Sequence, residues 1–489
     1  MASNKKNSFW LAIQFTTTML FSFITLKLNV DQFGAELFGM WIVFASLWGL
    51  GSNIDFGFGV AIIKNIAEAK RDNDSEKINQ LLGTGFVLFV IFGFFIAAVS
   101  GLIGMTVYFS NKNIVPQKFY SAGLEVFIVL GINFYFRYLW IFLRSVLEGF
   151  NNFVISSALT ISNSVIILLS VIIIFYYKLN LIVLAYCYVL SSIILILVWI
   201  FIFKTKFRSY RLNIKYFKFS LIKGLLKFSF SVQLASIFGA LMDPLTKYII
   251  GNYSALNTVP IYEIGRRFAL AISGLFSNTF RTILPRASVL RNTGEYQSYF
   301  TSEITNLIKL GNTYSGITFG VLLLFIGVII DFWFKLDGAI IIFLILATPE
   351  SINNFGYPTY MFIMGIGRAD FLAKLQLINL VMVAVCMTLG FIILGNISAL
   401  YGYGISVMAG NILMLLFLQK KVKLNLKNFI LETKLYKLFG LNIALVFTVI
   451  FLLMTNGKAL FMLLIIISML SFIIFFSDSR NVIKKILIH

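Results

Sequence analysis

The sequence predicts an all-α integral membrane protein with about 14 transmembrane helices, in two parallel-repeat six-helix lobes plus two extra C-terminal helices. Composition is the first observation behind this prediction. The chain has 489 residues, of which 59% are hydrophobic and 12% charged, whereas soluble domains carry about 25% charged residues. The second observation is the recurrence of apolar stretches of about 20 residues, the length that crosses a bilayer. The third is an internal repeat.

Two pairs of residues indicate the repeat. The same offset aligns Gly149 with Gly365 and Asn163 with Asn379. An even number of predicted spans separates the copies, so both copies have the same orientation in the membrane. Parallel repeats of this kind are typical of transporters, which hold their site between two lobes.

The repeat and the charged loops divide the chain into four segments. These are the N-lobe (1–203), an amphipathic cytoplasmic linker (204–223), the C-lobe (224–419), and a last pair of spans with a cytoplasmic tail (420–489). In the linker, Phe207, Tyr210 and Ile214 recur at helical spacing, with basic residues on another face. This pattern predicts a basic helix on an anionic leaflet; a solvated linker is the less favoured alternative.

Charge indicates the orientation of the chain. The formal net charge is +21, and most of the 40 Lys and Arg residues fall in loops on one side of the predicted spans. The positive-inside rule therefore places both termini in the cytoplasm. Because the basic residues lie between apolar spans, they do not indicate a nucleic-acid partner. The N-terminus has no small-residue cleavage site, so we expect a retained first span.

Several kinds of catalytic and metal site are excluded by the residues present. Cys187 and Cys386 both lie in apolar runs, which supports neither a disulfide framework nor a metal site. His489 is the single histidine, so a histidine triad or zinc centre cannot be built. The chain has no P-loop and no dinucleotide fingerprint. We therefore predict a protein that is not an enzyme and that binds no cofactor.

Four carboxylates inside predicted spans are candidates for ion coupling. They are Asp55, Asp243, Glu263 and Glu350. A charge at the centre of a span costs roughly 2.5–3.5 kcal/mol on insertion scales, so such groups face protein or water and mark transport pathways. The alternative is that they only pair with nearby bases.

Four arginines inside predicted spans are candidates for binding a diphosphate. They are Arg137, Arg144, Arg266 and Arg267. Arginine stays protonated, and its planar guanidinium binds a phosphate in two places. The alternative, again, is pairing with the neighbouring acids.

Three stretches resemble a known family. LFGMWIVFASLWGLGSNIDFGFGVAIIKNIAE resembles the second span and following loop of the bacterial Wzx-type polysaccharide flippases. MDPLTKYIIGNYSALNTVPIYEIGRRFALAISGLFSNTFRTILPRAS is similar to their seventh and eighth spans, and GFNNF and GIGRADF are similar to two of their turns. These flippases belong to the multidrug/oligosaccharidyl-lipid/polysaccharide exporter superfamily.

The resemblance implies a function in surface polysaccharide biosynthesis. It implies a two-lobed bundle that moves undecaprenyl-diphosphate-linked oligosaccharide, such as the O-antigen of lipopolysaccharide, across the bacterial inner membrane by alternating access. It also implies membrane lipids and a polysaccharide polymerase as partners.

Two other functions stay open. An ion-coupled, MATE-like drug exporter of the same superfamily should have an acidic, aromatic cavity with few arginines at mid-depth. A membrane oligosaccharide polymerase or glycosyltransferase should have a large outer loop or a catalytic carboxylate or histidine motif outside the membrane. No predicted outer loop is long enough for that, and the four arginines favour the flippase.

Overall fold

The chain folds almost entirely into helices. A computed structural model describes residues 2–49, 58–111, 113–226, 230–277, 283, 287, 290, 295–329, 339–395, 397–454, 467 and 470–471. Among these residues no strand occurs. The predicted all-α class is therefore confirmed.

The chain divides into two compact units, Met1–Pro260 and Ile261–His489. The first contains α1 (Ala2–Phe33), α2 (Ala35–Gly49), α3 (Phe58–Arg71), α4 (Ser75–Ser110), α5 (Tyr120–Gly149), α6 (Phe153–Tyr177), α7 (Leu181–Lys206), α8 (Phe219–Leu226) and α9 (Phe230–Tyr253). The second begins within α10 (Thr258–Ser277) and contains α11 (Thr305–Ile329), α12 (Ala339–Gly365), α13 (Ala369–Leu394), α14 (Tyr401–Lys421), α15 (Leu426–Glu432) and α16 (Leu435–Met454).

Six helices in the described part of the chain are long and apolar enough to cross a membrane: α4, α5, α6, α7, α13 and α14. Helix α12 would be a seventh span, bent by 42° between Ser351 and Gly356. Pro349 and Pro358 lie inside it, and proline removes a helical hydrogen bond. The chain is therefore a multi-pass membrane protein, and the count of about 14 spans stays a prediction.

Helix α5 is the central helix of the first unit. Trp48 of α2 donates a hydrogen bond from Nε1 to the carbonyl of Phe127 at 3.0 Å. Trp199 of α7 donates to the carbonyl of Leu143 at 2.9 Å. Both indole donors are thus satisfied inside an apolar bundle, as buried polar groups require. The two contacts fix α5 between its neighbours.

Helix α9 packs in the first unit, although the predicted C-lobe begins with it. Asn111, which follows α4, donates from Nδ2 to Asn252 Oδ1 at 2.9 Å. Gly39 of α2 lies so close to Leu256 that a Cβ would stand 2.2 Å from its carbonyl oxygen. The lobe boundary at 204–223 stays a prediction, and the compact units divide one helix later.

The linker 204–223 is not the continuous helix that its sequence predicts. Helix α7 ends at Lys206, and α8 begins only at Phe219, with a single 3-10 turn between them. Phe207 and Tyr210 pack on Phe150, with ring centroids 4.6 and 4.9 Å apart. Both rings therefore contact protein instead of forming an apolar stripe toward lipid.

Side chains of α4 explain why the linker is not helical. Asn79 Oδ1 accepts the backbone N–H of Arg211 at 2.7 Å, and Thr84 Oγ1 accepts that of Lys218 at 3.0 Å. These contacts satisfy backbone donors that a helix would otherwise use. The predicted helix was therefore wrong. The spacing of residues within the linker does not reveal partners on another helix.

The internal repeat appears as two matching turns, one between α5 and α6 and one between α12 and α13. Helix α5 ends at Gly149 and α12 at Gly365, the residues that the repeat aligns. Two residues later the backbone enters the left-handed region in both turns, with φ of 62° at Asn151 and 78° at Gly367. This is a common way to end a helix.

The hydrogen bonds of the two turns also correspond. The N–H of Asn152 donates to the carbonyl of Leu147 at 2.9 Å, and that of Arg368 donates to Ile363 at 3.1 Å. In each case the bond closes the last turn over the left-handed residue. The two segments therefore form the same structure from different side chains.

Candidate functional site

Helix α5 carries two of the predicted arginines on one face. Arg137 and Arg144 are two helical turns apart, which is about 10 Å along the helix axis. Arg144 lies about 8 Å from the end of α5 at Gly149, and Arg137 about 18 Å from that end. One cation is therefore near the end of the predicted span and the other is deep within it.

Arg144 is held by an acid on its own helix and by a neighbour on α6. Its Nε donates to Glu148 Oε1 at 2.6 Å. The hydroxyl of Ser156 donates to the same carboxylate oxygen at 3.0 Å. Ser156 is fully buried, while the Arg144 side chain is 37% exposed and that of Glu148 is 12% exposed. The pair is therefore anchored on one side and open on the other.

Arg137 has different surroundings. Within the described residues no carboxylate forms an ion pair with it. Its side chain is exposed at the surface, yet the protein around it desolvates the guanidinium, and Tyr188 of α7 is close enough to interact electrostatically. Tyr188 packs edge-on against Trp41 with ring centroids 5.5 Å apart. Arg137 is therefore an exposed cation beside Tyr188.

Helix α9 contains the acid Asp243 paired with a lysine. Lys247 Nζ lies 2.9 Å from Asp243 Oδ2, and the side chains are 7% and 25% exposed. Pro244 follows the acid inside the helix. The predicted ion-coupling residue Asp243 therefore takes part in a largely buried ion pair within the first unit.

The second unit contains a pair of the same kind on α10. Arg267 Nε lies 2.8 Å from Glu263 Oε1, with side chains 31% and 9% exposed. Arg266 beside it is half-buried, and Glu350 of α12 is 4% exposed. Arg266 and Glu350 each interact with another group of the protein. Of the predicted site residues in this unit, Glu263 and Arg267 thus form an ion pair with each other.

One predicted site residue is not placed by the structure. Asp55 lies outside the described residues. Among the described residues, no group of three or more His, Cys, Asp and Glu side chains is arranged to hold a metal ion.

Sequence reasoning missed two residues of the α5 site. Glu148 and Arg144 are visible as an i,i+4 pair on one helix. Ser156 and Tyr188 are on α6 and α7, and the packing of those helices on α5 decides which of their side chains approach the arginines. No signal in a single sequence identifies them.

Comparison with known proteins gives the family. The family model described as "Polysaccharide biosynthesis protein" matches residues 5–291. The chain belongs to this family. No curated protein matches the chain.

Solved structures of MATE transporters and of a lipid II flippase have the same fold. The chain is similar to an inward-facing MATE family multidrug resistance transporter, with a TM-score of 0.67, 15% identity and coverage of 83% of this chain and 94% of that chain. It is similar to the lipid II flippase MurJ in an inward closed conformation, with a TM-score of 0.61, 17% identity, and coverage of 96% and 99%. The Vibrio cholerae MATE transporter in its bent form gives 0.56 and 13%, over 88% and 100%. At these identities the likeness establishes the fold alone.

Proposed function

We propose that this protein is a flippase that moves undecaprenyl-diphosphate-linked oligosaccharide across the bacterial inner membrane by alternating access, for surface polysaccharides such as O-antigen. Membership of the polysaccharide biosynthesis family and the transporter fold support this proposal. The observation that carries it is Arg137. It is a cation at depth in a predicted span, exposed, with no acid partner among the described residues.

A flippase for such a lipid needs fixed cations. Moving an unpaired ionised group through hydrocarbon costs tens of kcal/mol in the Born limit. A protein lowers this cost by replacing water with guanidinium groups, which bind phosphate through two parallel hydrogen bonds. Arg144 near the end of α5 would receive the diphosphate first, and Arg137 would hold it deeper in the membrane. Arg266 and Arg267 are the corresponding cations proposed for the second unit.

The acids are the proposed coupling groups. Asp243 pairs with Lys247, and Glu263 pairs with Arg267. Protonation of either acid would release its base to bind a phosphate, which would couple a proton to substrate movement. Asp55 and Glu350 complete the set proposed from the sequence.

We further propose that both termini are cytoplasmic and that membrane lipids and a polysaccharide polymerase are partners. The excess of Lys and Arg in loops on one side of the spans supports this orientation. The polymerase is proposed because a flipped oligosaccharide must be extended on the outer leaflet.

A drug exporter is the second candidate, because MATE transporters share the fold. A cationic drug would need an acidic site, and the described acids Asp243 and Glu263 are both already paired with bases. Arg137, which is exposed and has no acid partner among the described residues, would repel a cation. The charges on the described residues therefore favour an anionic substrate.

The test is flipping of a fluorescent undecaprenyl-diphosphate oligosaccharide in proteoliposomes. For each of the four arginines we expect activity to fall in the order wild type, Lys variant, Ala variant, since Lys keeps the charge but loses the fork. Arg368→Ala is the matched control, because Arg368 lies in the α12–α13 turn and forms an exposed ion pair with Asp370 at 3.0 Å. Full activity of all four Ala variants, at normal protein levels, would contradict the proposal.

A further inference from the structure

We infer that Glu148 and Ser156 are positioning residues, which hold Arg144 with its terminal nitrogens open to a phosphate. This inference rests on the flippase function proposed above. Neither residue would touch the substrate; both would act through Arg144.

Among the described residues, the guanidinium of Arg144 is hydrogen-bonded through Nε only. Glu148 accepts from Nε at 2.6 Å. Among the residues that the structure describes, no group hydrogen-bonds to the two Nη atoms of Arg144. The edge formed by the two Nη atoms presents the parallel N–H groups that bind phosphate in bidentate fashion. The acid thus orients the arginine without occupying that edge.

The carboxylate of Glu148 is itself anchored to a second helix. The hydroxyl of Ser156 donates to Glu148 Oε1 at 3.0 Å, and the backbone N–H of Ser156 donates to the carbonyl of Asn152. Ser156 is fully buried at the start of α6. A long Arg side chain loses rotamer freedom when it binds a ligand. This entropy cost weakens the affinity about tenfold. Because the anchored Glu148 already orders the Arg144 side chain in the free protein, little of this entropy cost remains when the ligand binds.

The repeat shows that the turn does not need this arrangement. The alignment places Tyr360, Met364 and Leu372 where the first unit has Arg144, Glu148 and Ser156. The α12–α13 turn nevertheless has the same left-handed residue and the same backbone hydrogen bonds as the α5–α6 turn. This turn therefore forms without an arginine, a glutamate and a serine at these three positions. The charged and hydroxyl side chains of the first copy have another role.

The test measures binding and flipping separately, with undecaprenyl diphosphate as the probe and undecaprenol as the phosphate-free control. We expect Glu148→Ala to raise the dissociation constant for undecaprenyl diphosphate about tenfold and to leave undecaprenol binding unchanged. Ser156→Ala should give a smaller rise in the same direction, and Glu148→Gln should restore part of the affinity because its carbonyl still accepts from Nε. The double variant Arg144→Ala/Glu148→Ala should bind no more weakly than Arg144→Ala alone.

The matched control is another acid on the same helix. Glu125 accepts a hydrogen bond from the Tyr186 hydroxyl at 3.1 Å and lies near the opposite end of α5. Glu125→Ala should leave the dissociation constant unchanged. A purely structural role would lower the unfolding temperature of the Glu148 and Ser156 variants without changing affinity, and that result would overturn the inference.

The outcomes also separate the inference from the proposed function. If Arg144→Ala weakens binding while Glu148→Ala and Ser156→Ala do not, Arg144 binds phosphate without positioning residues and only the inference is wrong. If Arg144→Ala has no effect on binding, the assignment of Arg144 as a diphosphate ligand is wrong, and the inference is wrong with it.

Discussion

At the scale of single residues, the largely buried ion pair of Asp243 and Lys247 on α9 is expected to stabilise the fold. Replacing Lys247 with Met should lower the free energy of unfolding by about 2–3 kcal/mol, because Asp243 then loses its paired base. This is below the range for fully buried pairs, because the Asp243 side chain is 25% exposed. Thermal unfolding in detergent measures the effect.

The control for this pair removes both charges. The double variant Asp243→Asn/Lys247→Met removes both charges of the pair, so its unfolding temperature should lie above that of Lys247→Met. A double variant that is less stable than either single variant would show that the two residues do not act as a pair.

At the scale of helices and segments, the close approach of the linker to α4 can be tested with a glycine. A Cβ at Gly83 would lie 2.6 Å from the carbonyl oxygen of Asn213, so Gly83→Ala forces the linker backbone to move. We expect a loss of about 1–3 kcal/mol in unfolding free energy, the usual cost of overpacking. Limited proteolysis should then cut the linker more rapidly than in the wild type.

Gly440 is the matched control for this prediction. It lies inside α16, and a Cβ there would meet nothing within 4 Å. Since alanine is the better helix former, Gly440→Ala should be neutral or slightly stabilising. Equal unfolding temperatures for the two variants would contradict the contact between linker and α4.

The same elements show how far a sequence can be interpreted. The apolar runs predicted helices, which the structure confirms. Pairing of the acids with nearby bases was the alternative to a transport role, and the structure pairs Asp243 with Lys247 and Glu263 with Arg267. The linker was predicted wrongly because Asn79 and Thr84 of another helix bind its backbone. Contacts between helices, such as Ser156 with Glu148, depend on packing that spacing does not encode.

At the scale of the whole molecule, the orientation in the membrane can be measured by labelling cysteines. The natural thiols, Cys187 and Cys386, are replaced first. Gln117→Cys lies in a loop predicted to face outward, and Arg208→Cys lies in the predicted cytoplasmic linker; both native side chains are exposed. An impermeant maleimide should label the cysteine at position 117 in intact cells and the cysteine at position 208 only after permeabilisation. The reason is that loops rich in Lys and Arg stay on the cytoplasmic side. The reverse labelling pattern would show that the topology is opposite to the one predicted.

The consequence of removing the protein from its cell separates the three functions. Without a flippase, undecaprenyl-diphosphate oligosaccharide should accumulate in the inner leaflet as single repeat units, because the dianionic head cannot cross hydrocarbon unaided. Without a polymerase, single repeat units should instead appear on the outer leaflet. Without a drug exporter, the lipid-linked glycans should be unchanged. Arg137→Ala, expressed in the deletion strain, should leave the accumulation in place, whereas Arg368→Ala should relieve it, since Arg368 lies in an exposed turn. Leaflet-specific labelling of the lipid-linked sugar distinguishes these outcomes, and an unchanged glycan pool would exclude the flippase.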